Sequence, residues 1–268
     1  MDLLVHFLNS TPGRMNNHST RLEGRTALVT GATGGLGVAI ASSLAANGAH
    51  VVITGRDAAR GDAVVAGIRS AGGRVDLVAA DLAAGEDEVR RLARRAVEVA
   101  GGHIDILVNN AGLWGMPEAT SAVSEPDLLA SFRTNVIAPF LLTGALAPAM
   151  AERGHGAVVN VGSITGFIGG DRAALYSSTK AAVHSLTKSW AVEYGPQGVR
   201  VNAVAPGPIA TERVLEAADH VSGVLARIPS RRMSTPEEVA AAVVFLAGDE
   251  AANIHGAILS VDGGWAAA

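Results

Sequence analysis

The chain has 268 residues, 49% of them hydrophobic but only 4% aromatic, and a formal net charge of −4 at pH 7. This length suits a single α/β domain with a large core of alanine, valine, leucine and isoleucine. Without cysteine the chain forms neither disulfides nor thiolate metal sites, and the absence of a basic block argues against nucleic-acid or anionic-membrane partners. No apolar run reaches the roughly 18 residues of a membrane span, and the start carries Asp2 without a basic segment, so we expect a cytoplasmic protein.

Residues 1–22 are poorly patterned and include a polar patch at residues 16–19. We expect a flexible N-terminal extension, with an ordered tail packed on a neighbouring subunit as the alternative. A regular pattern begins at Arg25 and continues without linker or repeat, which predicts one domain over residues 23–268. Apolar runs alternate with helical patterns to give six to seven strands, and this alternation predicts a doubly wound parallel sheet of the α/β class.

The first predicted strand, residues 26–30, runs into the glycine-rich stretch 31–37. A helical pattern follows from Val38 to Asn47, with Gly48 as its C-terminal cap. Glycines at such a turn let the backbone approach a pyrophosphate, and the helix N-terminus offers free N–H groups. The stretch therefore predicts dinucleotide binding, although its spacing, Thr-Gly-x-x-x-Gly-x-Gly, differs from the G-x-G-x-x-G fingerprint.

The second predicted strand, residues 50–54, ends at Gly55, Arg56 and Asp57. At this point of a dinucleotide-binding fold an acidic residue accepts the ribose 2′-hydroxyl, whereas an arginine accommodates a 2′-phosphate. Arg56 therefore favours NADP(H), and Asp57 is expected to cap the next helix. NAD(H) stays open as the alternative, with Arg56 a surface residue, because the glycine stretch carries no second basic residue.

The third predicted strand, residues 75–80, is followed by Asp81 and Leu82, which are placed to touch an adenine. Asp81 has an equally ordinary alternative role in capping the next turn. The charged stretch 86–95 is expected to be the solvated face of a helix, with its arginines as surface charges.

The fourth predicted strand, residues 104–108, runs into the stretch Asn109–Gly112. Small residues and amides here suit a backbone that passes close to a cofactor, although Asn109 satisfying the sheet edge is a second role. A helix is expected from about residue 126 to 148, and it contains Asn135. An asparagine inside an apolar helix is unfavourable unless its amide is used.

The fifth predicted strand, residues 157–161, leads to Ser163, and a helix is expected over about 177–194. Tyr176 and Lys180 are four residues apart, the spacing that places two side chains on one face of a helix. A phenol alone has a pKa of about 10. We expect the ammonium group of Lys180 to lower the pKa of Tyr176 toward the working range, which predicts a proton-transfer pair. An isolated pair of this kind would instead be a surface tyrosine stacked on a lysine stem.

The last third of the chain continues the alternation. A sixth strand is expected at residues 199–204, and the poorly periodic stretch 210–235 is interpreted as a lid on the substrate side. Thr235 is the expected N-cap of a helix over residues 236–247, and residues 257–261 form the last predicted strand.

Other candidate residues carry weaker signals. His155, His184 and His255 are isolated without ligand-like spacing, so we interpret them as packing or surface residues and predict no metal site. Trp114 and Met116 follow the fourth strand and either line a substrate pocket or serve packing alone.

From about residue 23 to 264 the chain resembles the short-chain dehydrogenase/reductase family, whose motifs occur here in the family's order and spacing. The residues that carry the resemblance are Thr30-Gly31, Gly35, Gly37, Asp81, Asn109-Asn110-Ala111-Gly112, Asn135, Ser163, Tyr176, Lys180 and Pro206-Gly207. The resemblance implies a Rossmann-type fold and a nicotinamide cofactor. It also implies cofactor-binding residues: Gly31, Thr33, Gly35, Leu36, Gly37, Arg56, Asp81, Leu82, Asn109, Ala111, Gly112, Tyr176, Lys180, Pro206, Gly207, Ile209 and Thr211.

The resemblance further implies a catalytic set of Asn135, Ser163, Tyr176 and Lys180. In this set Ser163 polarises the substrate carbonyl and Tyr176 donates or removes the proton. Lys180 holds the nicotinamide ribose and keeps the pKa of Tyr176 low. Asn135, through its backbone and an ordered water, links Lys180 to solvent.

Within the family, the sequence most resembles the 3-oxoacyl-carrier-protein-reductase-like subgroup, including the ending Val261–Gly264. We expect an oxidoreductase that transfers hydride between NADP(H) and a small carbonyl or secondary alcohol, with a 3-oxoacyl thioester as one candidate. An NAD-dependent dehydrogenase of a polyol, steroid or other hydroxy compound is the alternative, and a non-catalytic nucleotide-sensing protein is a minor one. Members of the family are usually homotetramers or homodimers that pack through the helices around Asn135 and Tyr176.

Overall fold

Parallel strands form one sheet in this computed structural model, which describes residues 21–114, 117–215, 223 and 225–267. In that part of the chain the strands are β1 Thr26–Val29, β2 His50–Ile53, β3 Arg74–Leu77, β4 Ile106–Asn109, β5 Gly156–Val161, β6 Val199–Pro206 and β7 Ile258–Val261. They lie side by side in the order β3-β2-β1-β4-β5-β6-β7. The prediction of a doubly wound parallel sheet is therefore confirmed.

Helices cover both faces of the sheet. Those whose bounds lie within the described residues are α1 Gly35–Ala46, α2 Ala58–Ser70, α3 Glu86–Val99, α4 Glu125–Phe132, α5 Ala138–Glu152, α6 Ala174–Tyr194, the short α7 Glu212–Leu215 and α8 Pro236–Ala247. One apolar layer packs α1, α2 and α8 against the sheet, and the other packs α3, α5 and α6 against its opposite face.

The central strands are buried on both faces. Every residue of β1, β2, β4 and β6 is buried. A parallel strand covered by helices on both sides is expected to be apolar along its whole length, which explains why these strands appear as uninterrupted runs rather than as alternating patterns. The same arrangement brings all the carboxyl ends of the strands to one edge of the sheet.

The strand order reverses between β1 and β4. The chain builds outward from β1 to β3 in one direction and then from β4 to β7 in the other. Leu28 of β1 pairs with Leu107 of β4, so the first strands of the two halves of the sheet lie side by side. In open α/β sheets the crevice at the carboxyl ends of such a pair is where ligands bind.

Local signals explain where several helices begin. Asp57 caps α2 by accepting a hydrogen bond from the backbone N–H of Arg60 at 3.0 Å, as predicted. Thr235 caps α8 in a capping box with Glu238. Arg90, Arg91 and Arg95 of α3 pair with glutamates three or four residues away on its exposed face, which confirms that this face is solvated.

The helix expected at 126–148 is longer and is interrupted. α4 and α5 form one continuous helical segment, and a π-helical turn, Arg133–Ile137, joins them. A π-turn places one extra residue in the helix and is often found at functional sites. Asn135 lies within this turn and is buried.

The segment Glu125–Glu152 is long enough to span a membrane, and an 18-residue window within it has a mean hydropathy of 1.4. Its inward side chains nevertheless pack on the sheet, and Ala138, Leu142, Leu146 and Met150 are buried there. Packing in the core therefore accounts for the apolar residues on that side.

The folded domain includes Leu22, which we had assigned to the extension. Its side chain is 2% exposed, and its backbone N–H donates to the carbonyl oxygen of Asn47 at 2.9 Å. Residues 1–20 of the predicted extension lie outside the described residues, as do Met116 and residues 216–222 and 224 of the predicted lid.

Candidate active site

The loops after β1 and β4 are locked together at the carboxyl edge of the sheet. The hydroxyl of Thr30 accepts the backbone N–H groups of Asn110 and Ala111 at 3.0 and 2.9 Å. In return, the side-chain amide of Asn110 donates to the carbonyl oxygens of Thr30 and Gly31 at 2.8 and 3.1 Å. The glycine stretch is therefore held in one conformation by the neighbouring loop.

Close approach explains two of the motif glycines. A Cβ at Gly31 would lie 2.7 Å from the Cα of Ala111. A Cβ at Gly37 would overlap the carbonyl oxygen of Gly31 and lie 2.8 Å from the Cα of Ala32. Only glycine allows these backbones to meet, so the turn from β1 into α1 is as tight as a dinucleotide site requires.

The N-terminus of α1 fits an anionic group. Its N-cap residue is Gly34, no side chain caps the helix, and its first turn carries no acidic residue. The N–H groups there are free to bind a phosphate, and the helix dipole favours negative charge at that point. Gly35 has a φ of +52°, in the left-handed region that glycine enters most readily, and Thr33 precedes this turn.

Arg56 is exposed beside this cradle. A Cβ at the preceding Gly55 would lie 2.5 Å from the hydroxyl of Thr33, so the end of β2 presses against the glycine stretch. Asp81 accepts the backbone N–H of Ala83 at 3.0 Å, which is the turn-capping role given above as its alternative.

The remaining predicted cofactor residues divide into two groups. Thr211 faces the glycine stretch, because its Cγ2 would lie 3.6 Å from a Cβ at Gly35. The loop that leads there passes through Pro206, Gly207 and Ile209. Three other side chains are used inside the protein: Leu36 and Leu82 pack on the core, and Asn109 donates to Asn160 at 2.9 Å. Because these three side chains are used in this way, the predicted contact of Leu36, Leu82 and Asn109 with the cofactor would be made by their backbone atoms and stays a prediction.

Asn135 connects the cofactor loop to the catalytic helix. Its amide oxygen accepts the backbone N–H of Leu113 at 2.6 Å, and its amide nitrogen donates to the carbonyl of Leu113 at 3.0 Å. The same nitrogen donates to the hydroxyl of Thr179 at 3.1 Å, and Thr179 donates to the carbonyl of Tyr176. The side chain therefore acts as a clamp, in addition to the backbone role that the family resemblance implies.

Ser163, Tyr176 and Lys180 come together below this clamp. The hydroxyl oxygen of Ser163 accepts two hydrogen bonds from Thr165, so its own proton is free to point toward Tyr176. Lys180 is buried, lies 5.5 Å from the centre of the Tyr176 ring, and donates to the carbonyl of Val161 at 2.8 Å. These three members of the predicted four-residue catalytic set are thus brought together in space.

The expected effect of Lys180 on Tyr176 is wrong in this geometry. Burial raises the pKa of Tyr176 to about 12, and the hydrogen bond from Ser163 only partly opposes this rise. Burial also lowers the pKa of Lys180 to about 8. The ammonium group points at the carbonyl of Val161 rather than at the phenol oxygen, so Ser163 is the group that favours the phenolate.

Lys180 is expected to cost stability. Between pH 8 and 10.5 the unfolded chain keeps the lysine proton while the folded protein releases it, so the free energy of unfolding rises with pH in that window. Lys180→Met is expected to raise this free energy at pH 7 by about 1–3 kcal/mol and to remove that rise. Urea unfolding between pH 7 and about 9.5 measures both effects, with Lys188→Met, an exposed lysine on the same helix, as the control. A Lys180→Met protein less stable than wild type at pH 7 would contradict the argument.

Sequence reasoning placed Asn110 near the cofactor but did not predict its bonds to the glycine stretch, and it gave Thr179 no role. Asn110 directly follows the end of β4, where a side chain can reach the loop after the neighbouring strand β1. That position was the available signal for Asn110. Thr179 offered no signal, because its role depends on Asn135, which is distant in sequence.

A Rossmann-type sheet with a serine, a tyrosine and a lysine beside a dinucleotide cradle defines the class of this protein. It is an oxidoreductase that moves hydride to a carbonyl or from an alcohol. The sequence profile described as short chain dehydrogenase matches residues 25–221, and the chain belongs to that family.

Curated relatives and solved structures are similar over nearly the whole chain. The 3-oxoacyl-[acyl-carrier-protein] reductase FabG of Escherichia coli K12 is 36% identical, over 90% of this chain and 97% of its own. The D-threitol dehydrogenase of Mycolicibacterium smegmatis is 38% identical, over 91% and 94% respectively. The crystal structure of a putative NAD(P)-dependent gluconate 5-dehydrogenase from Beutenbergia cavernae, which has bound NADP, superposes with a TM-score of 0.88. It is 38% identical and covers 93% of this chain and 100% of its own.

Proposed function

We propose that this protein is an NADP(H)-dependent carbonyl reductase or secondary-alcohol dehydrogenase whose catalytic residues are Ser163, Tyr176 and Lys180. The observation that carries the proposal is the Asn135 clamp, which ties these residues to the cofactor loop through Leu113 and Thr179. A substrate bound between the two would have its carbonyl carbon beside the cofactor cradle and its carbonyl oxygen beside the proton donor, Tyr176.

The proposed chemistry divides between the cofactor and the protein. A nicotinamide supplies or accepts the hydride when bound. In the reductive direction Ser163 turns its one hydroxyl proton from Tyr176 to the substrate carbonyl oxygen, and Tyr176 gives its own proton to the alkoxide that develops there. In the oxidative direction Tyr176 accepts the proton of the alcohol. Lys180, fixed by Val161, places its positive charge 5.5 Å from the centre of the Tyr176 ring.

Binding of NADP(H) rests on Arg56 and on the bare N-terminus of α1. NADP bound in the Beutenbergia cavernae structure supports this preference, as does an NADP-bound putative 2-deoxy-D-gluconate 3-dehydrogenase from Agrobacterium tumefaciens, 40% identical with a TM-score of 0.85. NAD(H) stays the alternative cofactor. Lack of cysteine fits our further expectation of a cytoplasmic enzyme.

Arg56→Ala is expected to weaken NADPH binding by about 10- to 100-fold, because a guanidinium–phosphate hydrogen bond is worth roughly 1.5–3 kcal/mol. NADH affinity should change by less than about 3-fold, since NADH has no 2′-phosphate. Titration of protein fluorescence with each cofactor measures both constants. Arg94→Ala removes another exposed arginine, on α3, and is the matched control. Equal loss of NADPH and NADH affinity would contradict the assignment of Arg56.

The reaction itself is tested by NADPH oxidation with an acetoacetyl thioester, followed by a screen of ketones and secondary alcohols in both directions. Turnover of the thioester would favour a 3-oxoacyl substrate. Polyol oxidation would favour the alternative dehydrogenase, which the similarity to D-threitol dehydrogenase supports. Failure of both nicotinamide cofactors with every substrate would overturn the proposal.

We also propose that the protein is a homodimer or homotetramer. The face formed by α4, α5 and α6 exposes apolar side chains: Leu128, Leu129, Ile137, Phe140 and Val192. An exposed apolar cluster of this kind is typical of a surface that another copy covers. Phe140 packs on the ring of Trp190, with centroids 5.9 Å apart, and so joins α5 and α6 into one surface.

Val192→Asp is expected to reduce the oligomer to a smaller species, because it would bury an unpaired carboxylate between subunits. Val192 is 79% exposed within one chain, so the substitution leaves the fold of that chain intact. Light scattering coupled to gel filtration measures the mass. Ala66→Asp on the exposed face of α2 is the control. An unchanged mass for Val192→Asp would exclude this face.

A further inference from the structure

His184 is enclosed in the protein without a hydrogen-bond partner among the described residues. It lies on α6, one helical turn after Lys180, and is 4% exposed. Neither Nδ1 nor Nε2 of its ring is hydrogen-bonded in that part of the chain. A buried polar ring without partners is rare, because each unpaired group costs free energy. Hydrogen bonding therefore does not explain why a histidine is buried here, and we consider how the shape of its ring fits the surrounding space.

Two glycines make the space for the ring. A Cβ at Gly162 would overlap Nε2 of His184, and a Cβ at Gly166 would lie 2.8 Å from Nδ1. The ring of Phe167 closes a further side, with centroids 4.5 Å apart and the planes tilted by 41°. The flat imidazole thus fills a narrow slot between α6 and the loop after β5, which we call the serine loop (residues 162–167).

The serine loop carries Ser163 between those two glycines. The backbone N–H of Gly166 donates to the carbonyl of Ser163 at 3.0 Å, and the N–H of Gly162 donates to the carbonyl of Val204 at 2.8 Å. The loop is thus anchored to the sheet on one side and rests on His184 on the other. A side chain of a different size at position 184 would therefore move the hydroxyl of Ser163 relative to Tyr176.

We propose that His184 is a positioning residue, whose imidazole spaces the serine loop from α6 so that the hydroxyl of Ser163 meets Tyr176. The effect of His184 on catalysis rests on the proposed function, whereas its contact with the serine loop does not depend on the substrate. Burial, together with the charges of Lys180 and Lys188, lowers the pKa of His184 to about 4, so the ring is neutral in the slot.

The test compares His184→Ala, Gly162→Ala and the double variant with wild type. Val183→Ala, which removes a buried neighbour on the same helix, is the control. Hydrogen exchange of the amides in the serine loop reports the support directly and needs no activity. His184→Ala is expected to lose protection at residues 162–167 and to keep it in the central strands. Where His184→Ala does not fold, His184→Leu takes its place, because it fills the slot without fitting its flat shape.

Kinetics then separate positioning from packing. His184→Ala is expected to lower kcat by about 10- to 100-fold with KM for NADPH within about 3-fold, since a displacement near 1 Å is enough for such a loss. The pH profile of kcat for alcohol oxidation should shift to higher pH, because Ser163 lowers the pKa of Tyr176. The double variant should regain at least about 10-fold over Gly162→Ala, since the added methyl group then meets no ring.

Equal effects of His184→Ala and Val183→Ala on protection and on the pH profile would overturn the proposal. So would a double variant no better than Gly162→Ala. If wild type turned over no substrate, the proposed function would fail, while the exchange data would still decide whether His184 supports the serine loop.

Discussion

Tyr176→Phe is expected to lower kcat by about 10²- to 10⁴-fold, the range that a positioned general acid or base contributes. The phenol shares a hydrogen bond with Ser163, and its hydroxyl is the group that phenylalanine lacks. The ring remains, so its packing beside Lys180 is kept. Affinity for NADPH, measured by fluorescence titration, should therefore change by less than about 3-fold.

The chain offers a matched control, because it has only two tyrosines and both lie on α6. Tyr194→Phe removes the same hydroxyl at the far end of that helix and should leave kcat near the wild-type value. Stopped-flow or steady-state assays of NADPH oxidation distinguish the two variants. Comparable losses in both would refute the assignment of Tyr176 as the proton donor.

Gly37→Ala is expected to abolish cofactor binding and to destabilise the fold. The added Cβ would overlap the carbonyl oxygen of Gly31 and lie 2.7 Å from the side-chain nitrogen of Asn110 and 2.8 Å from the Cα of Ala32. Two of these atoms belong to backbone, which cannot move aside like the end of a side chain. Overpacking of this kind costs about 1–3 kcal/mol or more.

Gly34→Ala is the matched control in the same turn. Gly34 has an extended φ of −174°, and no atom lies within 4 Å of a Cβ built there. The midpoint of thermal unfolding and the NADPH affinity of Gly34→Ala should stay close to wild type, whereas both should fall for Gly37→Ala. A Gly37→Ala protein that binds NADPH normally would refute the described packing of the two loops.

Most of the fold is predictable from local pattern, because buried parallel strands are continuous apolar runs separated by helices. The errors lie at boundaries. The third strand was predicted to reach residue 80 but ends at Leu77, and the fourth was predicted from residue 104 but begins at Ile106. Asp105, just before β4, bonds to both neighbouring strands through its backbone, and its carboxylate also accepts the backbone N–H of Thr26 at 2.9 Å. Such a long-range contact has no signature in the local sequence.

The site was predictable where spacing along one element decides it. Tyr176 and Lys180 share a helix, so their proximity follows from a four-residue interval. Their pKa values depend instead on how deeply the fold buries them, and the direction of the Tyr176 shift was therefore missed. The π-turn around Asn135 was missed for a similar reason, because it is stabilised by contacts with Leu113 and Thr179 rather than by its own residues.

The strand order also has a consequence for how the protein is made. β1 is synthesised first yet lies in the middle of the sheet, where Ala27 pairs with Val51 on one side and with Ile106 on the other. At roughly 5–20 residues per second, a ribosome needs about 4 to 16 s to travel from residue 27 to residue 106. During that time one apolar edge of β1 has no partner strand, and such an edge is a template for aggregation. The nucleotide-binding half is therefore not a unit that can be cut out of this chain, because its central strand is completed only by the half that carries catalysis.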